Sequence, residues 1–401
     1  MPKKSTKKNK EVTLENVLWN CRVALRGIGS TEKNRDAVIS LVFLKFAGAK
    51  FEKRYEELRE QYNSNEGLFK VVKEKPSSYN AVNVFYLHET SRWSYIIAHA
   101  ASNDIAVILD TAMADIEKSN PSLKGALSSR DQEGNSVYTF FATLGASTAK
   151  LKALIDEVNK IDETRFQEED LIGRVYEYFL RAYAAAGTKE DGEFYTPASV
   201  VKLIAEMIEP YSGTVYDPCC GSGGMFVQSM KFVERHQGNR RNVSIIGQES
   251  NPDTWRLCKM NLAIRGIAHN LGEKNASTFT EDLHKDRKVD YIMANPPFNL
   301  KNWRTAKQLT KDPRFQGYGG VMPPVANANY AWIEHIISKL DVNHGIAGFL
   351  LANGALNADG DEQVIRKSII EKDLVEAIIV LPRNMFYTTD ISVTLWILKG
   401  V

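Results

Sequence analysis

From Gly192 to the end, short β-branched runs alternate with stretches long enough for helices, and this alternation constrains the fold more than any other feature. The runs are Thr214–Tyr216, Ser244–Gly247, Val289–Met293, Gly345–Leu351, Leu374–Leu381 and Val393–Leu398. Between them, Met225–His236, Asp253–Arg265, Asn329–Leu340 and Glu362–Glu371 carry apolar residues at the spacing of a covering helix. Strand–helix alternation predicts a doubly wound, mainly parallel α/β sheet. Ligands on such sheets bind where the carboxyl ends of strands meet the following loops, so chemistry is sought there.

The preceding part, Thr13 to Gly187, has a helical period. Val38, Leu41, Val42, Leu44 and Phe46 run into the charged segment Lys50–Glu60 and predict a long amphipathic helix. Ile105–Glu117 and Leu151–Ile161 repeat the spacing, with a break at Asn120-Pro121. Asp170–Ala186 reads as a further helix, with Leu171, Val175, Tyr178 and Phe179 on one side. The division expected is an N-terminal helical domain over 1–165, a packing module without catalytic features, and a catalytic domain over 166–401.

With 43% hydrophobic and 25% charged residues, the 401-residue chain has a globular balance, which excludes disordered, collagen-like and small disulfide-stapled proteins. No apolar run reaches the roughly 18–20 residues of a membrane span, and Glu11–Asn20 is too polar for an export signal. Four cysteines (Cys21, Cys219, Cys220, Cys258) make no stapling framework, so a reducing cytoplasm is expected. The net charge is +2, but five lysines stand in the first ten residues, leaving the rest at −3. That balance offers no global surplus for tight phosphate binding; a nucleic-acid substrate would call for a partner. The lysine-rich tail itself reads as a solvated terminus rather than a binding arm.

Three strand ends carry candidate chemistry. The first is Asp217-Pro218-Cys219-Cys220-Gly221-Ser222-Gly223-Gly224, followed by a helix. Glycines let the backbone turn sharply and approach a ligand closely. A dinucleotide fingerprint fails, because Phe226 stands where its third glycine belongs. The pattern instead looks like the first S-adenosyl-L-methionine motif of methyltransferases: Asp217 suits a cationic amino group, and the glycine backbone makes room for the amino-acid end. Cys219-Cys220 reads as a small-residue pair beside the cofactor; no other Cys or His shares ligand spacing with it, and no metal is expected. The second end, Gly247-Gln248-Glu249, places a carboxylate where it can accept both ribose hydroxyls. Asp282, after a short strand expected near Thr278–Thr280, would accept from the adenine amino group of the cofactor.

The third end is Ala294-Asn295-Pro296-Pro297-Phe298 after the hydrophobic run Val289–Met293. Two prolines remove two backbone donors and stiffen the turn. The Asn295 side-chain oxygen and the Pro296 carbonyl are left as acceptors for both hydrogens of a planar amino group, and Phe298 offers a face for stacking. Accepting both hydrogens draws the nitrogen out of conjugation and frees its lone pair for a methyl sulfonium. The proton leaves after transfer, so no strong base is required.

Together these motifs resemble an adenine-specific DNA amino-methyltransferase, and the wider set is similar to the modification (M) subunit of type I restriction-modification systems. The further matches are Asp170-Leu171-Ile172-Gly173-Arg174-Val175-Tyr176-Glu177-Tyr178, Gly192-Glu193-Phe194-Tyr195-Thr196-Pro197 and Asn327-Ala328-Asn329-Tyr330-Ala331-Trp332, in the family's order over nearly the whole chain. The resemblance implies a Rossmann-like AdoMet-dependent methyltransferase domain behind the helical one. It implies that Glu193, Phe194, Tyr195, Thr196, Pro197 and Ala198 lie over the cofactor and that Gly221, Ser222 and Gly223 line its amino-acid pocket. Asn295, Pro296 and Phe298 would grip an adenine rotated out of the duplex. Implied partners are DNA, a specificity (S) subunit that reads its sequence, a restriction (R) subunit in the full complex, and two M subunits per S. The resemblance also implies a C-terminal extension toward the specificity subunit; the chain ends at Gly400-Val401, so that extension is expected to be missing.

Between Asn299 and Ala326, Lys301, Arg304, Lys307, Lys311 and Arg314 face one acid, Asp312, with Trp303, Phe315 and Tyr318 interleaved. So long a loop beside a catalytic turn is often functional. It is expected to touch DNA backbone or the surroundings of the extruded base, the alternative being a solvated charged loop. The competing functions are methylation of a protein glutamine or an rRNA guanine, whose amino groups have similar geometry, and a non-catalytic scaffold on DNA.

Overall fold

The computed structural model describes residues 13–130, 136–162, 175, 178, 196–386 and 391–400. It divides into two compact units, Met1–Tyr183 and Ala184–Val401. In the first, the long elements are α1 (Leu14–Ala24), α2 (Thr31–Gln61), α3 (Ile105–Ser119) and α4 (Thr148–Asn159). The Thr13 and Ser30 hydroxyls accept the Asn16 and Lys33 amides and so cap the first two helices. Between Ala37 and Leu44, every residue of α2 except Ser40 is buried. Loops are tied down by carboxylates on α3. Glu117 accepts the amides of Gly125, Leu127 and Ser128, and Asp110 those of Phe141 and Ala142. A two-residue hairpin, Ser129–Arg130 with Ser136–Val137, interrupts the helical pattern. The helix expected at Asp170–Ala186 lies outside the described residues except for Val175 and Tyr178.

The second unit is built on one seven-stranded sheet: β1 (Gly213–Asp217), β2 (Val243–Gly247), β3 (His269–Asn270), β4 (Tyr291–Ala294), β5 (Ile346–Ala352), β6 (Val375–Val380) and β7 (Val393–Lys399). Their order is β3-β2-β1-β4-β5-β7-β6. All pairings are parallel except those of β7, which runs antiparallel to β5 and β6. From β1 the chain winds outward through β2 and β3, then returns to lay β4 on the other side of β1. That reversal opens a crevice at the carboxyl ends of β1 and β4, the place where open α/β sheets hold ligands.

Period-two alternation decides which helix covers which face. Val215, Ile245 and Met293 point into a core shared with α5 (Ala198–Ile208), α6 (Gly224–Arg235) and α7 (Pro252–Ile264). Their neighbours Tyr216, Ile246 and Ile292 point the other way, toward α8 (Asn329–Lys339) and α9 (Asp361–Glu371). Burying strands on both faces is why the sequence shows near-continuous apolar runs there.

The expected strands and covering helices are present within one or two residues of their predicted bounds, and the Rossmann-like α/β architecture is the observed one. Thr278–Thr280 forms turns rather than a strand. The edge strand is instead His269–Asn270, held by two residues of β2. Helix α5 was not expected, although Val200, Val201, Ile204, Ala205 and Ile208 carry its buried face. Among the described residues, no helix is long and apolar enough to cross a membrane.

Candidate active site

Asp217 and Gly247 are register partners at the ends of β1 and β2, so the two following turns emerge side by side. They are laced together: the Gln248 amide donates to the Asp217 carbonyl and the Cys220 amide to the Gln248 carbonyl, each at 3.0 Å. Gly221 has φ +52° and no atom within 4 Å of where a side chain would begin, so its backbone faces open space. Gly223 has φ +83°, and a Cβ there would meet Cys258 Sγ at 2.9 Å. The first glycine keeps the turn open toward a ligand; the second lets it press onto α7. Ser222 is buried, and its carbonyl accepts from the Asn261 side chain at 2.7 Å. Asn261 is fully buried on α7; sequence reading missed it, since a lone Asn in a helix carries no local signal.

Glu249 stands at the mouth of this turn. Its Oε2 accepts the Gly221 amide at 3.0 Å and its Oε1 the Asn251 amide at 2.8 Å. Backbone donors therefore fix the carboxylate against the glycine turn. Asp217 lies beneath, 1% exposed, with Oδ1 accepting the Cys219 amide at 3.0 Å. Burial pushes its carboxyl up to about 7, and the nearby Glu249 charge adds to the shift. A cation brought against it would draw it back to the ionised form.

The third strand end sits next to these two. The Cys219 thiol, pushed well up by burial, lies against the Asn295 backbone amide, which joins the glycine turn to the proline turn. Asn295 donates through Nδ2 to Thr196 Oγ1 at 2.9 Å. Its Oδ1 is buried and has no hydrogen-bond partner among the described residues. An unsatisfied buried acceptor costs about 1–3 kcal/mol, a cost that a ligand's N–H would relieve. Pro296 is buried, while Pro297 and Phe298 are half-buried. The Phe298 ring meets Phe386 edge-on, with centroids 6.0 Å apart and an interplanar angle of 86°.

Beyond Phe298 the chain is clamped. Asn299, at φ +55°, gives its amide to Asn329 Oδ1 at 3.0 Å and receives Asn329 Nδ2 on its own Oδ1 at 2.8 Å. The start of α8 thus fixes the exit of the proline turn. Of the residues expected over the cofactor, Glu193, Phe194 and Tyr195 lie outside the described residues. Thr196 reaches Asn295, Pro197 is buried, and Ala198 is exposed as the first residue of α5.

Two expectations need correction. Asp282, assigned to a cofactor adenine, is engaged elsewhere: its side chain is 7% exposed and Oδ2 pairs with Lys339 Nζ at 2.6 Å and, more loosely, Arg314. Its Oδ1 accepts the His284 amide at 3.0 Å. Arg304 and Arg314, counted as loop charges for DNA, are internal staples. Arg304 donates to the Thr305 and Pro323 carbonyls; Arg314 reaches Asp312 at 2.7 Å and the carbonyls of Thr278 and Phe279. Arg314 also donates to His335 Nδ1 at 3.1 Å. Since a guanidinium only donates, His335 carries its proton on Nε2, toward the Tyr216 hydroxyl at 3.1 Å. Burial lowers the His335 pKa well below its usual value, so the ring is neutral.

The chain matches the model of the N-6 DNA Methylase family over residues 167–400 and that of the HsdM N-terminal domain over residues 14–158. It is 44% identical over 305 residues to the type I restriction enzyme HindI methylase subunit of Haemophilus influenzae, covering 74% of this chain and 65% of that protein. It is 35% identical over 399 residues to the MjaIX methylase subunit of Methanocaldococcus jannaschii, covering 96% and 69%. The chain thus spans about two thirds of the length of these relatives. A crystal structure of a type I restriction-modification methyltransferase subunit from Streptococcus thermophilus superposes with a TM-score of 0.75, covering 96% of this chain and 84% of that one. At 24% identity, that likeness is one of fold.

Proposed function

This chain belongs to the N-6 DNA methylase family, and on that premise we propose that it is the modification subunit of a type I restriction-modification enzyme, methylating N6 of an adenine extruded from DNA. The observation that carries the reading is Asn295 Oδ1, a buried acceptor without a partner among the described residues, at the sheet's reversal point. An amino group inserted there would donate one hydrogen to Asn295 Oδ1 and the other to the Pro296 carbonyl. Thr196 Oγ1, by taking Asn295 Nδ2, keeps the amide's oxygen turned toward the incoming donor. Phe298 supplies the surface on which the purine stacks.

The cofactor is S-adenosyl-L-methionine, which supplies an electrophilic methyl group on a sulfonium centre. The open backbone at Gly221 and the carboxylates beside it fit that group. Gly221, Ser222 and Gly223 would border its amino-acid end above Asp217, Glu249 would accept from its ribose, and Thr196, Pro197 and Ala198 would stand beside it. Asp282 holds Lys339 and Arg314 instead of the cofactor. A separate specificity subunit chooses the DNA sequence, with two modification subunits per specificity subunit, and a restriction subunit joins the full complex. The near-neutral charge outside the lysine-rich tail fits a protein that shares DNA binding with a partner.

The test is transfer of labelled methyl to DNA, RNA and protein with a co-expressed specificity subunit present. Label is expected at adenine N6 in DNA; label in RNA or protein alone rejects the reading. Asn295→Ala should lower turnover on the order of 10²–10³-fold, by analogy with the loss of one preorganised hydrogen-bonding group, while cofactor binding persists in calorimetry.

A further inference from the structure

The loop over 299–326 is closed at its neck and filled from within. Besides the Asn299–Asn329 pair, the Ala328 amide donates to the Leu300 carbonyl and the Asn302 amide to the Val325 carbonyl, both at 2.9 Å. Trp303 and Phe315 are buried against Phe279, Ala331 and Trp332, and Trp303 Nε1 donates to the Pro324 carbonyl at 2.9 Å. Arg304 binds the loop's own carbonyls, and Arg314 binds its Asp312 and ties the loop to the Thr278 and Phe279 carbonyls outside it. This is a compact loop with a core, rather than a solvated connection.

Internal use of the two arginines and Asp312 leaves Lys301, Lys307 and Lys311 as the loop's outward charges. All three are exposed, and none pairs with an acidic side chain among the described residues. Lys301 stands six positions after Asn295, so its Cα lies within about 21 Å of it even in a fully extended chain. One turn of duplex spans about 34 Å, which keeps that lysine within a helical turn of any base held at Asn295.

We propose that Lys301, Lys307 and Lys311 form a preorganised clamp for the DNA phosphates flanking the extruded adenine. The inference rests on the reading of the Asn295 turn as a DNA-adenine site and deepens it by naming the surface that holds the backbone. DNA rather than an acidic protein is the partner argued for, because the loop springs directly from the base-gripping turn. A loop frozen by internal staples presents its charges without ordering on contact, which suits a regular array of phosphates.

The experiment measures binding of a fluorescent random-sequence duplex by the chain in complex with a specificity subunit, across a salt series. Each phosphate contact contributes about 0.9 to the slope of log affinity against log salt. The variant K301Q/K307Q/K311Q should therefore lose about 2.7 from the slope. Between about 50 and 200 mM salt, the wild type should lose about 40-fold more affinity than the variant. A control, K202Q/K285Q/K367Q, removes three other exposed lysines and should leave the slope in place. An unchanged slope in the loop variant, an equal fall in the control, or loss of subunit association with the slope retained would each overturn the clamp. Methylation by the wild-type complex is read separately. Its absence would reject the reading of the Asn295 turn, whereas an unchanged slope beside intact methylation would reject the clamp alone.

Discussion

Glu334 offers a test of the fold that is independent of catalysis. It lies on α8, is 0% exposed, and neither carboxyl oxygen has a partner among the described residues. Burial pushes its carboxyl from 4.5 up to about 8. Across that window the folded protein keeps a proton that the unfolded chain releases, so stability falls as pH rises from 4.5 toward 8 and levels off beyond. The full effect is about 5 kcal/mol, at about 1.4 kcal/mol per pH unit. Between about pH 6 and pH 8 the same linkage gives a loss of about 2 kcal/mol. Glu334→Gln keeps the shape and removes the titration. Urea unfolding followed by circular dichroism at both pH values should show the wild type losing about 2 kcal/mol more than the variant over this interval. Parallel pH dependences in the two proteins would refute the assignment of a buried, unpaired acid at this position.

Two substitutions probe the glycine turn and the Arg314 staple. Gly223→Ala places a methyl 2.9 Å from Cys258 Sγ in a backbone at φ +83°; it should destabilise the protein by about 1–3 kcal/mol and weaken S-adenosyl-L-methionine binding in calorimetry. Arg314→Ala leaves the part-buried Asp312 without its guanidinium, while Asp282 keeps Lys339, and should cost about 1–3 kcal/mol in chemical denaturation.

The secondary structure was legible because its signals are local. Ile245 and Ile246 point to opposite faces whatever surrounds them, and a strand covered on both sides must read as an apolar run. The exceptions follow the same logic. His269–Asn270 is too short and polar to leave a pattern, and exists because β2 offers it an edge. Thr278–Thr280 has strand-forming composition, but its neighbourhood is pinned as turns: the Gln248 side chain donates to the Ala276 and Glu281 carbonyls and accepts the Leu283 amide.

The candidate site divides in the same way. A proline-stiffened turn after a strand and a glycine turn before a helix are properties of consecutive residues, so Asn295 and Gly221 could be named from the chain alone. The partners of a charge are not. Asp282 meets Lys339 from 57 positions away, and Asn261 meets Ser222 from 39 away. Arg304 and Arg314 read like Lys301 and Lys307 until a core forms around Trp303 and Phe315. Sequence by itself determined the layered sheet and the chemistry offered at its strand ends. Only the tertiary structure decided which polar groups were spent inside and which, like Asn295 Oδ1, stayed without a partner among the described residues, because burial and pairing depend on residues that the chain brings together from far apart.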